Sequence, residues 1–414
     1  MMKDMHPESL MMSHGYDPKL SEGAIKCPIF QTSTFVFNTA EEGKAFFELA
    51  YGLREKEEGE QMGLIYSRLN NPDLQILEER LCLWDGAEEC AVFESGMSAI
   101  STAILCFCKP GDLLVYSNPV YGGTDHFINH VMTKFGVHVM GIDPTDSLEE
   151  LKAEIGAHPA ASKLSMIHIE TPANPTNKLI CIKDMRALAD YFKQEERDVV
   201  LSVDNTYLGP VYQHPLKHGA DLVLYSATKY IGGHSDVIAG ACMGRADLMM
   251  EVKTMRTFLG NMAGPWTGWL LMRSLETLQV RMERQAKNAK HVAEALAAHP
   301  AIERVGYLGF LTEADGKQFE IFNSQCDSAG AMISIYVKGG EKEAFAMLNK
   351  MKLVKLAVSL GSTESLAQHP ATMTHADVDP ETKKKFNISP NLVRLSVGVE
   401  HYEDLIADLT QALD

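Results

Sequence analysis

Ser226, Thr228 and Lys229 close the apolar run LVLY at positions 222–225. Such a run reads as a buried strand, and the YIGGH that follows reads as a segment too flexible to be core. A lysine where a strand gives way to a loop, with two hydroxyls just ahead of it, supports two chemistries. One is a solvated cation capping a turn. The other is an amine that condenses with a carbonyl cofactor while Ser226 and Thr228 hold that cofactor's phosphate. These residues alone leave both open, so other stretches must decide.

Four other places carry candidate chemistry. In CAVFESGMSAISTAILCF, the turn Glu94–Ser95–Gly96–Met97 leads from a short strand into an apolar helix. Its unpaired N–H groups at a helix start suit a phosphate. Asp204 closes the apolar strand VVLSVD, where a carboxylate serves as a helix cap, a metal ligand or the partner of a protonated ring nitrogen. Arg394 interrupts the apolar run in LVRLSVGVE, and a buried Arg needs an anion. A structural ion pair and a two-pronged grip on a substrate carboxylate both satisfy it. Tyr66 and Arg68, in IYSRLNNP, read by themselves as a loop aromatic and a surface cation.

The elements that position these residues follow a βαβ rhythm. Strands are predicted over Ala91–Phe93, Leu113–Tyr116, Val137–Gly141, Leu164–Ile169, Val199–Val203 and Leu222–Tyr225. Helices are predicted over Thr124–Lys134, Leu148–Ile155 and Lys183–Phe192. The alternation implies an α/β fold with a mostly parallel sheet covered on both faces. Ligands bind such sheets at the carboxyl ends of the strands, where Gly96, Tyr121, Glu170, Asn174, Asp204 and Lys229 all fall. Ahead of this region, Asn71–Pro72 starts a helix, Leu74, Leu77, Leu81 and Trp84 recur at helical spacing, and Gly86 ends it. After it, one long amphipathic helix is expected from about Thr267 to Ala298. The remainder reads as a smaller α+β unit, with strands Met332–Val337 and Leu392–Val397 and helices Lys342–Asn349 and Tyr402–Ala412.

A chain of 414 residues exceeds the size of one core. The expected division is an arm at 1–70, a large α/β domain at 71–278 and a C-terminal α+β domain at 279–414. The arm mixes polar turns, an extended run over Gln31–Phe37 and the charged patch Arg54–Gln61. It buries too little surface by itself and is expected to pack on another subunit.

Several classes are set aside. The net charge of −17 argues against nucleic acid and anionic membrane as partners. No apolar run reaches the length of a membrane span. The opening MMKDMHPESLMMSHGYD has neither a signal core nor the character of a transit peptide, so a cytoplasmic location is expected. The eight cysteines include no C-x-x-C pair and are expected to be reduced; Cys106 and Cys108 share a predicted helix but point apart. No G-x-G and no phosphate-loop motif occurs, against a nicotinamide enzyme or a nucleotide hydrolase. His126 and His130, four apart in HFINH, lack the Glu of a zinc protease, and no metal is expected. FESGMSA is not a nucleophile elbow.

Taken together, YSR, SGM, YGGT, ETPANPT, VDNTY, SATKYIGGH, SLG and VRLSVG, in that order along nearly the whole chain, resemble one family. It is the pyridoxal-phosphate enzymes of cysteine and methionine metabolism, which have the aspartate-aminotransferase fold (fold type I). The resemblance implies pyridoxal 5′-phosphate as cofactor and Lys229 as its Schiff-base lysine. Gly96, Met97, Ser226 and Thr228 would bind the phosphate, joined by Tyr66 and Arg68 from a neighbouring subunit of a dimer, within a homotetramer. Tyr121 would stack on the ring and assist proton transfer, and Asp204 would pair with the ring nitrogen. Asn174, Ser359 and Arg394 would hold the cofactor oxygen and the amino-acid carboxylate, with Tyr66 also at the substrate. The implied activity is a carbon–sulfur lyase that eliminates a β- or γ-thiol from a sulfur amino acid, giving thiol, ammonia and a 2-oxo acid. The alternatives are γ-replacement on an activated homoserine ester and a non-catalytic cofactor-binding protein. Val358 stands where cystathionine-handling members usually carry Glu, and Gly123 where methionine-cleaving members typically carry Cys.

Overall fold

The strands Glu89–Phe93 (β1), Leu113–Ser117 (β2), His138–Ile142 (β3), Leu164–Glu170 (β4), Val200–Asp204 (β5), Leu222–Tyr225 (β6) and Gly240–Gly244 (β7) form one sheet. Their order is β1-β7-β6-β5-β4-β2-β3 in this computed structural model, which describes residues 5–57, 63–195 and 197–414. Strands β2 to β6 pair in parallel, and β7 runs antiparallel to both β6 and β1. Every residue of β2, β4, β5 and β6 is buried, which is why these strands read as unbroken apolar runs.

Alternate side chains serve opposite faces. Leu114 and Tyr116 pack with Ile100, Ile104 and Phe107 of the helix Gly96–Phe107. Leu113 and Val115 pack on the other face with Leu151 and Ile155 of Leu148–Gly156 and Met185 and Leu188 of Ile182–Tyr191. Each such fully buried side chain stabilises the fold by about 1.5–3 kcal/mol. The helix Pro72–Asp85 is capped by Asn71, whose side chain accepts from the Asp73 N–H, and ends at Gly86 with φ 69°.

A second sheet combines Ile302–Gly306 (β8), Met332–Val337 (β9), Lys355–Leu356 (β10), Leu366–Gln368 (β11) and Leu392–Ser396 (β12) in the order β10-β11-β12-β9-β8. Only β10 and β11 are parallel.

The structure corrects several expectations. Strand β7 and the helix that follows it, Ala246–Leu259, were not foreseen, because GACMG carries little strand propensity. Its glycines are needed for space: a Cβ on Gly240 would lie 2.1 Å from the Ser95 carbonyl oxygen. The long helix expected over Thr267–Ala298 is two helices, Pro265–Leu275 and Leu278–Ala297, broken at Thr277 with φ −117°. Arg281 and Thr277 both direct side chains to the Ser274 carbonyl at this break, a detail that hydrophobic period cannot reveal. The YIGGH segment is packed rather than flexible, with Gly232 and Gly233 buried. Arg281 donates to the carbonyls of Tyr230 (2.8 Å) and Ile231 (3.4 Å), and a Cβ on Gly233 would meet its guanidinium. Cys108 lies just past the end of its helix rather than within it. The arm contains a helix, Ala40–Ala50, capped by Thr39; residues 58–61 of its charged patch lie outside the described residues. Among the described residues no helix is long and apolar enough to cross a membrane.

Candidate active site

The carboxyl ends of the central strands, the start of Gly96–Phe107 and the loop before β11 enclose a cavity of about 310 Å³. Of the residues singled out by sequence, Gly96, Met97, Tyr121, Asn174, Asp204, Ser226, Thr228, Lys229, Ser359 and Arg394 line it. Tyr66 and Arg68 of the same chain do not. Arg68 donates to the Thr257 carbonyl (2.9 Å) with its guanidinium 5.7 Å from the Tyr66 ring centre, and Tyr66 is half exposed.

Lys229 is half-buried and its Nζ donates to Ser359 Oγ at 3.2 Å. Burial, reinforced by the charge of Arg394, pushes its pKa down to about 8. A useful fraction is therefore the neutral, nucleophilic amine near neutral pH. The backbone beneath it is fixed on both sides. Thr228 N–H donates to the Ala239 carbonyl (3.1 Å), Ala239 N–H donates to Thr228 Oγ1 (3.0 Å), and Gly233 N–H donates to the Lys229 carbonyl (2.7 Å).

At one end of the cavity lies a helix start with spare donors. Ser95 caps the helix by accepting from Ser98 N–H at 3.0 Å. The N–H groups of Gly96 and Met97 have no acceptor among the described residues. A Cβ on Gly96 would sit 2.8 Å from Ser226 Cβ and 2.9 Å from its Cα. Glycine thus lets the helix start and the strand end approach, so that two backbone donors and the Ser226 hydroxyl converge on one small volume. Converging donors at a positive dipole end are what a phosphate needs.

At the other end, Asp204 and Glu170 are register partners on β5 and β4. Asp204 Oδ1 accepts from Thr206 N–H (3.0 Å) and Thr206 Oγ1 (2.6 Å), and Thr206 Oγ1 accepts in turn from Ser226 N–H (2.9 Å). Asp204 Oδ2 has no donor among the described residues. Burial raises the Asp204 pKa. Glu170 accepts from the N–H groups of Tyr121 (2.6 Å) and Asn174 (3.1 Å), yet burial and then the charge of Asp204 push it up to about 8. Two buried carboxyls side by side call for a cation next to the free Asp204 oxygen. A protonated ring nitrogen answers that need, so the donor set fits pyridoxal phosphate at both its ends.

Arg394 sits on β12 and is 3% exposed. It donates to Asn174 Oδ1 (3.0 Å) and to the carbonyls of Ser359 (3.0 Å) and Val358 (3.3 Å). Its register partner Gln368, with the amide oxygen turned inward, accepts from it at 3.0 Å. All these acceptors are neutral, and no carboxylate of the described residues lies in ion-pair range. The structural ion pair weighed from sequence is absent there, and the charge is left for an anion from the cavity.

Tyr121 opens the helix Gly122–His130 and is 42% exposed, with a hydroxyl that bonds to none of the described residues. A Cβ on Gly123 would lie 2.7 Å from its ring and 3.3 Å from Met97 Sδ, so glycine there leaves the ring its position. Sequence reasoning placed Glu170 at the strand ends without a role and missed Thr206 and Gln368. Thr206 was detectable as a hydroxyl two residues after a buried Asp, the spacing of a local side-chain turn. Gln368 becomes visible only through strand register.

A sequence profile described as Cys/Met metabolism PLP-dependent enzyme matches residues 8–414. The chain is 41% identical over 419 aligned positions to L-methionine gamma-lyase of Porphyromonas gingivalis, covering 99% of each. It is 39% identical to L-methionine gamma-lyase of Treponema denticola, covering 97% of this chain and 95% of that one. A solved cystathionine gamma synthase of Xanthomonas oryzae pv. oryzae, in complex with aminoacrylate and cysteine, matches with a TM-score of 0.86. That structure is 32% identical, with 99% of this chain and 98% of the other covered.

Proposed function

Because the chain belongs to the pyridoxal-phosphate-dependent enzymes of cysteine and methionine metabolism, we propose that it is a carbon–sulfur lyase acting on an apolar thioether amino acid such as methionine. Pyridoxal phosphate, when bound, offers an aldehyde to an amine and a cationic ring that takes up electrons from a neighbouring carbon. Gly96 and Met97 N–H and the hydroxyl of Ser226 would hold its phosphate. Thr228 joins them once its hydroxyl proton turns away from the Ala239 carbonyl, 3.2 Å distant. Asp204 Oδ2 would hold the ring nitrogen, Tyr121 would cover a ring face, and Lys229 Nζ would meet the aldehyde.

The remaining work falls to this chain's own groups. Arg394 and Asn174 bind the substrate carboxylate and so fix which bond at the α-carbon faces Lys229. The neutral amine of Lys229 would serve as the base that removes the α-proton, for which a pKa of about 8 is well matched. Because the sulfur of methionine is on Cγ, Lys229 would also carry a proton away from Cβ, and Tyr121, whose hydroxyl bonds to none of the described residues, or Lys229 itself would return a proton to the departing sulfur. One water from solvent is consumed in parting the nitrogen from the carbon skeleton, and the products are a thiol, ammonia and a 2-oxo acid.

The observation that carries this reading is the joint presence in one cavity of Lys229, Asp204 and an Arg394 that has no anionic partner among the described residues. The preference for an apolar chain rests on Val358 and Ile238, which line the cavity at 58% and 67% exposure with no charged group of their own. The likeness to a cystathionine gamma synthase supports a second reading, γ-replacement on an activated homoserine ester. Incubation with methionine, cystathionine, cysteine and O-acetylhomoserine, with and without sulfide, separates the two. Oxo acid and thiol from methionine without sulfide support the lyase; a thioether or thiol amino acid formed only from the ester with a thiol or sulfide contradicts it. The exposed Tyr66 and Arg68 complete the partner's cavity in a dimer that shares its sites, within a tetramer.

A further inference from the structure

A second cavity, of about 300 Å³, lies between the arm and the helices Pro72–Asp85 and Pro265–Leu275, and shares no lining residue with the first. Its wall is mostly apolar, with Met12, Ile25, Trp269 and Met272 prominent. Three cations, Lys26, Arg80 and Arg273, face it against one carboxylate, Glu276, and that carboxylate is already ion-paired to Lys26. Arg80 is 4% exposed. Its Nε donates to the His14 carbonyl at 3.0 Å, and its two terminal nitrogens find no acceptor among the described residues. Arg273 is exposed and makes no hydrogen bond or ion pair among the described residues. Cys27, also in the wall, is a neutral thiol, its pKa pushed up to about 12 chiefly by burial. The Trp269 indole N–H is taken by the Cys27 carbonyl (3.1 Å), so the aromatic wall presents its apolar surface.

Burial of this guanidinium is costly and lowers the Arg80 pKa, against the opposing pull of the Glu276 and Glu79 carboxylates, neither of which lies in ion-pair range of it. The chain keeps it beside an apolar hollow, a combination that matches an amphipathic anion rather than an inorganic one: Arg80 and Arg273 for the charged head, Trp269 and Met272 for the tail. We propose that this cavity is a binding site for a small carboxylate with a short apolar tail, separate from the catalytic cavity. Two sources share that chemistry, a 2-oxo acid and a free short-chain fatty acid.

The test uses the holoenzyme carrying Arg394→Ala, which weakens carboxylate binding at the catalytic cavity and keeps this outcome distinguishable from the reaction assigned above, on which the choice of variant rests. Hexanoate, 2-oxobutanoate and hexyltrimethylammonium, a cation that cannot condense with the cofactor's aldehyde, are titrated by calorimetry and tryptophan fluorescence. The expected result is one saturable site per chain for a carboxylate and none for hexyltrimethylammonium. Adding Arg273→Glu, a change at an exposed side chain that the fold does not need, should weaken binding by at least about tenfold, as expected for loss of a charge-assisted contact. The tighter of the two carboxylates identifies the source. Absence of saturation with both, equal binding of hexyltrimethylammonium, or an affinity unmoved by Arg273→Glu overturns the proposal.

Discussion

Glu170 and Asp204 stand opposite one another at the carboxyl ends of adjacent parallel strands, two buried carboxyls along one edge of the cavity. Burial and the charge of Asp204 raise the Glu170 pKa from an ordinary 4.5 to about 8. A carboxyl with a raised folded-state pKa binds more protons folded than unfolded between those values, so stability falls as pH rises through that window. Glu170→Gln removes this titration. The cofactor-free wild type should therefore lose more thermal stability than Glu170→Gln on going from about pH 5 to about pH 8. Parallel melting curves across that range would refute a raised Glu170.

Lys229 and Arg394 are linked by charge. The Lys229 pKa is lowered to about 8 first by burial and then by Arg394, so the amine is free above that pH and protonated below it. Arg394→Ala should move the midpoint for Lys229 modification in the cofactor-free protein upward, read by the pH dependence of its labelling. The same variant loses a charged grip worth about 1.5–3 kcal/mol, so KM should rise by roughly ten- to a hundredfold. An unmoved midpoint together with an unchanged KM would assign Arg394 to structure alone.

Thr206 ties Asp204 to Ser226, accepting from the Ser226 N–H and donating to the carboxylate. Thr206→Val keeps the shape and removes both bonds. Leaving such buried groups unsatisfied costs about 1–3 kcal/mol, which should appear as a cofactor Kd raised by roughly tenfold or more while substrate KM in the saturated enzyme changes little. A cofactor Kd equal to wild type would show that the link does not serve the cofactor.

Arg68 lies outside its own chain's cavity, bonded to the Thr257 carbonyl. If it completes a partner's site, Arg68→Ala and Lys229→Ala are each inactive or nearly so, but mixed oligomers of the two regain activity. Each mixed dimer then holds one site with both residues intact. Mixtures with no more activity than their parents would mean that sites are not shared in this way.

Much of this architecture is legible in the residues themselves. Buried parallel strands announce themselves as continuous apolar runs, and Asn71–Pro72 and Gly86 mark a helix by backbone chemistry that tertiary contacts do not alter. Lys229, Asp204 and Arg394 stand out because each breaks an apolar pattern. What the pattern hides is whatever depends on close approach. Strand β7 is built from small residues because Gly240 must pass the Ser95 carbonyl, and those residues carry little strand signal. Gly232 and Gly233 read as flexible although they are packed against Arg281 and the strand end. Gln368 has no local signature, since its contact with Arg394 arises from the pairing of β11 with β12.

The central claim is that the amine of Lys229 meets the cofactor's aldehyde, and covalent trapping tests it most directly. The purified protein loaded with pyridoxal phosphate is reduced with borohydride, digested and analysed by mass spectrometry. The account predicts a phosphopyridoxyl group on the peptide containing Lys229, absent from Lys229→Ala, whose fold is otherwise intact. A label on another lysine, or an unmodified Lys229 in protein that retains bound cofactor, would contradict it.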